Sequence, residues 1–209
     1  MRLSRGKIAL LGRIVAVAVG SFLFSIAAEG QIPTSGNVFV GYSYYSAGPS
    51  APTGTANRQN LNGWEGSLEG KVFPFVGLVA DFSGHYGSQN VPSPVGTCAI
   101  GVSCSPLSAN THVENFLFGP RVSVGVKKFR PFAEVLVGVG HVRVNVSSPL
   151  PDNFTTPTDT SFATAVGGGL DYKIIRLIAV RLQGDYVQTR FFGATQNNVR
   201  LSTGVVLRF

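Results

Sequence analysis

Cysteine, histidine and clustered positive charge are all scarce in this chain: two Cys, three His, and 17 Lys and Arg against 10 Asp and Glu in 209 residues. Without a Lys/Arg block there is no footprint for nucleic acid. His85, His112 and His141 lie in three separate segments with no HExxH or comparable spacing, so neither a metal centre nor a cofactor is expected. Gly167, Gly168 and Gly169 are followed by no helical pattern and no Lys-Ser/Thr ending, which excludes a phosphate loop and leaves them as space inside a curved sheet. Cys98 and Cys104 enclose five residues in a stretch rich in Pro, Ser and Gly, with no further ligand-type partner nearby. In an exported chain two such thiols are expected to pair as a loop disulfide.

Export is what the first thirty residues indicate. Arg2, Arg5, Lys7 and Arg13 precede an uncharged, mostly apolar run over 14–28 that ends in small residues. That is the layout of a secretory signal peptide, cleaved after Ala27 or Gly30. The run is shorter than the roughly 20 residues of a spanning helix. Removing 1–30, with four basic residues and Glu29, lowers the net charge from +7 to +4 and leaves 31–209 as one domain.

Beyond residue 30 no segment keeps a helical period, whereas β-branched and aromatic residues recur in strand-length stretches. Eight are expected: 37–45, 62–72, 76–86, 112–125, 131–146, 162–173, a seventh beginning at 178, and 199–209. In 62–72, Glu65, Glu69 and Lys71 share one face while Trp64 and Leu68 share the other. In 199–209, Val199, Leu201, Val205, Leu207 and Phe209 oppose Arg200 and Arg208. The orientation of 37–45 is left open, because both its faces tolerate apolar groups. In 131–146, Glu134 is in phase with Leu136, Gly138 and Gly140, but His141, Arg143 and Asn145 fall in the opposite phase. A bulge near Gly138 or Gly140 would reconcile them.

The connectors alternate in length. Those after the second, fourth and sixth strands are short, and those after the first, third, fifth and seventh span 46–61, 87–111, 147–161 and 190–198. Short turns at one end and long loops at the other describe an eight-stranded antiparallel up-and-down barrel. A soluble barrel would carry an apolar interior and a polar exterior. Here charges hold one face and aromatics the other, which fits a transmembrane barrel with Trp64, Tyr86, Tyr172 and Tyr186 in its interfacial girdles.

The segments at 60–70, 79–87, 116–124, 130–140, 167–173 and 197–209 together resemble the outer-membrane β-barrel domain family of diderm bacteria, similar to OmpA and OmpX barrels. The resemblance implies delivery to the cell outer membrane, contact with outer-membrane lipids and lipopolysaccharide, and help from periplasmic chaperones and the barrel-insertion machinery. It also implies that Leu207 and Phe209 belong to the C-terminal signal that machinery reads. No peptidoglycan-binding domain is expected, and the barrel is expected to act as a monomer.

The polar face supplies the candidate functional residues: Glu65, Glu69, Asp81, His85, Arg121, Glu134, Asp171, Arg181, Asp185 and Arg200, with Lys71 and Arg208 beside them. Inside so narrow a barrel they are expected to form an ion-pair lattice that plugs the lumen, since buried charges need partners. The function expected is structural and surface-exposed, without enzymatic activity. A small pore is the alternative. Less favoured is a lipid A modifying enzyme using Asp81, Ser83 and His85, because residues facing the lumen cannot reach lipid.

Overall fold

The computed structural model describes residues 35–48, 58–91, 107–147 and 156–209. The segment expected to be a signal peptide and the two cysteines expected to pair lie outside these residues. Eight strands follow in order: β1 (Gly36–Ala47), β2 (Gln59–Lys71), β3 (Val76–Val91), β4 (Leu107–Ser123), β5 (Phe129–Ser147), β6 (Thr158–Lys173), β7 (Ile178–Thr189) and β8 (Gln196–Arg208). Each pairs antiparallel with its sequence neighbour, and β1 pairs with β8 to close the barrel. Asn37↔Arg208 through Ser46↔Val199 form that seam. Phe209 extends it: its N–H donates to the Gly36 carbonyl at 3.1 Å and its carbonyl accepts from the Gly36 N–H at 3.0 Å.

The wall is taller than the sequence indicated. β3 runs to Val91 and β4 starts at Leu107, so 87–91 and 107–111, rich in Ser, Asn and Gly and expected as loop, are strand. They pair from Gly87↔Thr111 to Val91↔Leu107. Composition misleads here because pairing across a hairpin satisfies backbone groups whatever the side chains are.

The bulge in β5 is not present. From Ser108↔Ser147 to Ser123↔Phe132 the register with β4 is constant, and the register with β6 is equally unbroken. The phase conflict has another cause: the barrel reverses its polarity along its height. Below this level Glu134 points in and Val135, Val137 and Val139 point out; above it Val142 and Val144 are buried while Arg143 is exposed. One uninterrupted alternation thus carries charge inward near the short turns and apolar groups inward near the long loops.

The outer face changes at one level on every strand. The last aromatic or aliphatic outward residues are Tyr44, Trp64, Tyr86, Phe116, Val139, Phe162, Tyr186 and Val199, and the next outward positions are Ser46, Asn62, Ser88, Glu114, His141, Thr160, Gln188 and Asn197. Toward the short turns the band continues through Val135, Leu182, Val205 and Leu207 to Tyr172, Phe129 and Phe209, and the turns themselves expose Phe73, Phe75, Ile174 and Leu177. Trp64, Tyr86 and Tyr186 therefore lie at the loop-side edge, and Tyr172 lies at the turn side against Phe129, with ring centroids 5.2 Å apart. Five or six outward residues per strand amount to a band of about 25 Å on tilted strands.

The loop-side interior is an apolar core. Tyr45, Leu61, Val113, Leu117, Leu136, Val142 and Val187 pack together, and Phe191 drops into them from the connector between β7 and β8. That connector contains a 3-10 turn, Phe191–Gly193, with Phe192 in the left-handed region at φ 55°. Asp159 holds the turn by accepting the Phe192 N–H. Gly140 makes room for the ring, since a Cβ there would stand 2.9 Å from Phe191 Cζ.

Gly140→Val is expected to expel Phe191 and to cost roughly the 3–5 kcal/mol of a buried Phe truncation. The double variant with Phe191→Ala should then be no less stable than the worse single variant. Urea midpoints of the set measure this, and simple additivity would refute it.

Candidate functional site

The short-turn half of the lumen is filled by charge. The orientation that the sequence left open for β1 is settled: Asn37, Phe39, Ser43 and Tyr45 face inward. All ten proposed lumen residues are buried, and Arg121, Arg181 and Arg200 have no exposed surface. Period-two alternation puts them on the inner face. The register then sets Arg121 opposite Glu134, Arg181 opposite Asp171 and Arg200 opposite Asp185.

Two tiers result. In the lower one, Arg121 Nη2 lies 2.6 Å from Glu134 and its Nη1 reaches across to Glu69 at 3.1 Å. Glu69 also meets Lys71 at 2.7 Å. Arg181 binds Asp171 at 2.7 Å, and Arg208 adds to the same carboxylate at 3.2 Å. Asn37 joins these groups, donating to Glu69 at 2.8 Å and accepting from Arg181 at 3.3 Å.

In the upper tier Arg200 serves three carboxylates: Asp81 at 2.7 Å, Asp185 at 2.8 Å and Glu65 at 3.3 Å. Gln183 links the tiers, its Nε2 standing 2.9 Å from Glu134, 2.9 Å from Asp185 and 3.1 Å from Glu65. Ser202 donates to Glu65 at 2.5 Å. Such a lattice satisfies buried charges only while every member is present.

Phe39 and Phe132 depart from the expectation that aromatics face outward. The guanidinium carbons of Arg121 and Arg181 lie 4.5 and 4.6 Å from the Phe132 ring centroid, and Arg181 lies 5.0 Å from that of Phe39. Ring faces attract guanidinium groups, so these apolar side chains belong to the charged lattice. Gln183, Asn37, Ser202 and Phe132 were not singled out in the sequence. For Gln183 a signal existed: it alternates in phase with Arg181 and Asp185.

Asp81, Ser83 and His85 are all buried in the lumen but form no relay. His85 Nε2 is 2.9 Å from Ser43, Asp81 is bound to Arg200, and Ser83 is 3.3 Å from Arg200 Nη1. A general base must reach the proton it removes, and His85 makes its bond to a different hydroxyl. Among the described residues no group of three or more His, Cys, Asp or Glu is placed to hold a metal ion. Leu207 and Phe209 face outward in the apolar band.

No family model matches the chain, and no curated protein matches it in sequence. Solved structures do share its fold. Ail, the attachment invasion locus protein of Yersinia pestis, in complex with the heparin analogue sucrose octasulfate, has 12% identity and a TM-score of 0.57, covering 84% of this chain and 98% of Ail. Neisserial surface protein A matches with 10% identity and a TM-score of 0.56, over 83% of this chain and 97% of its own. The outer membrane protein OprG of Pseudomonas aeruginosa matches with 10% identity and a TM-score of 0.53, over 86% and 98%. At these identities the likeness establishes the fold: a closed, eight-stranded, up-and-down antiparallel barrel of the kind found in outer-membrane proteins.

Proposed function

We propose that this chain, which has the fold of the small outer-membrane barrels, is a non-enzymatic integral protein of the bacterial outer membrane that presents its long-loop end at the cell surface. The observation that carries the reading is the outer wall. It is an apolar band of about membrane height, edged by aromatic residues and ended on all eight strands by a polar row. Water would make such a wall an aggregation surface, whereas lipid covers it and requires the closed sheet that β1 and β8 provide.

The reversed polarity above that row fits the same reading. Val142, Val144 and Phe191 are inside and Glu114 and Arg143 outside, as expected of a barrel end projecting into water. Surface recognition would take place there. Ail, which shares this fold, was crystallised in complex with the heparin analogue sucrose octasulfate, and lipopolysaccharide is the partner that location would supply. The filled lumen, with three guanidinium groups wholly out of contact with solvent, favours a plugged barrel over a pore.

The test is fractionation of expressing cells. The protein should sediment with the outer membrane, migrate on gels in a heat-modifiable form, and pass no current in planar bilayers. A freely soluble product would end the membrane reading. Steady unitary conductance would replace the plugged barrel with the pore.

A further inference from the structure

The two ends of the barrel differ in the charge they expose. At the loop end both signs are present, with Glu114, Arg143 and Arg190 all exposed. At the short-turn end, among the described residues, only one sign is: Lys127, Lys128 and Arg176 are exposed and Arg130 and Lys173 are half-buried. None of these cations takes part in an ion pair within the described residues. The nearest acids, Glu69 and Asp171, are buried and already held, Glu69 by Lys71 and Arg121 and Asp171 by Arg181 and Arg208.

Backbone bonds fix two of these cations side by side. The turn between β4 and β5 closes tightly, Val126 and Phe129 exchanging N–H···O bonds of 2.7 and 2.9 Å around Lys127 and Lys128. The Lys173 N–H donates to the Lys128 carbonyl at 2.8 Å, one step beyond the Phe129↔Tyr172 pair. Lys128 and Lys173 therefore continue that ladder as opposite residues. Like charges directly opposite on neighbouring strands repel. At the tip, Lys127 holds φ 56°, where glycine is the unstrained choice, so a third cation is added at some conformational cost. An anion between these lysines relieves the repulsion, and the chain itself supplies none there.

The surroundings of the pair decide the kind of anion. Phe129 and Tyr172 point outward next to it, with ring centroids 5.2 Å apart, and Val126, Ile174 and Leu177 are each more than half exposed. Hydrocarbon on the wall with cations on the rim matches an acyl chain with a phosphate above it. An ammonium finds no free carboxylate at this end, so a zwitterionic headgroup is only half matched. We propose that the turns at 126–129 and 173–178 clamp the headgroup phosphate of a net-anionic glycerophospholipid of the phosphatidylglycerol type, with Lys128 and Lys173 flanking the phosphate and an acyl chain lying along Phe129 and Tyr172. This rests on the membrane reading above, which turns the short-turn end away from the cell surface and into the leaflet built of glycerophospholipids.

The full barrel is reconstituted in vesicles of equal parts phosphatidylethanolamine and phosphatidylglycerol and extracted into mild detergent, and the lipid it retains is identified by native mass spectrometry. Phosphatidylglycerol should be retained over phosphatidylethanolamine by about fivefold or more, the effect of one basic residue at an anionic surface. Lys128→Gln with Lys173→Gln should bring the ratio close to one, and Lys128→Arg with Lys173→Arg should preserve it. Removing two cations from the other end, by Arg143→Gln with Arg190→Gln, should leave it unchanged. Equal retention of the two lipids by the native barrel, or the same ratio in both Gln pairs, overturns the clamp and leaves the membrane reading standing. Displacement of the retained lipid by free glycerol phosphate would assign the lysines to a soluble anion and overturn the lipid. A barrel that enters neither vesicle nor micelle overturns the clamp together with the membrane reading.

Discussion

Arg200→Met should be among the most damaging single substitutions in the barrel, lowering its stability by about 3–5 kcal/mol, the cost of leaving buried charge without its partner. The geometry explains why. Arg200 has no exposed surface and is the only cation within ion-pair reach of Asp81 and Asp185 among the described residues, with Glu65 as a third acid at 3.3 Å. Without it Glu65 and Asp185 keep only Gln183 and Ser202 as donors, neither of which carries charge and neither of which reaches Asp81. Combining Arg200→Met with Glu65→Gln, Asp81→Asn and Asp185→Asn should recover most of the loss, because neutral groups do not need a counter-charge. Lys71→Met should cost clearly less than Arg200→Met, because Glu69 keeps Arg121 at 3.1 Å and Asn37 at 2.8 Å as partners. Urea midpoints followed by the gel shift of the folded barrel would measure all three. A native midpoint for Arg200→Met would mean that the lattice does not hold the lumen together.

Val135→Arg should destabilise by about 2–4 kcal/mol, as an arginine does on the lipid face near the bilayer midplane. Val135 is half exposed and sits midway along the outward run of β5, from Pro131 to Val139. Moving the substitution along that run gives the profile that defines a membrane. Val139→Arg, at the edge, should cost roughly 0–1 kcal/mol, and His141→Arg, in the polar row, should be nearly neutral. A barrel whose wall faced water would show no depth dependence, since an exposed arginine there changes stability by about 0.5 kcal/mol or less. Equilibrium unfolding of the three variants in lipid vesicles checks the profile. A flat series would overturn the membrane reading.

Much of the fold was legible because alternation is a local property. In β2, β6, β7 and β8 the charged and apolar residues separate at a period of two, which fixes two faces, and short turns at 73–75 and 174–176 fix the neighbours. Legibility failed where one face did not keep one character. In β5 the swap from Glu134 inward to Val142 inward looked like a bulge, because a strand was expected to have a single environment from end to end. In β1, Phe39 and Tyr45 gave no sign of direction, since inward aromatics are stabilised by Arg181 and by the loop-side core, partners far away in the chain. The hairpin extensions of β3 and β4 were hidden by loop-like composition.

By itself, then, the sequence determined eight strands, their order, their antiparallel succession and the segregation of charge from hydrocarbon, all of which follow from side-chain periodicity and connector length. Closure decided the rest. Only when β8 meets β1 does Arg200 come within reach of Asp81, 119 residues away, and only the curvature of the closed wall brings Gln183 to Glu65 and Glu134 together. Contacts across a lumen depend on strand number, tilt and register acting together, and no local pattern of residues encodes them.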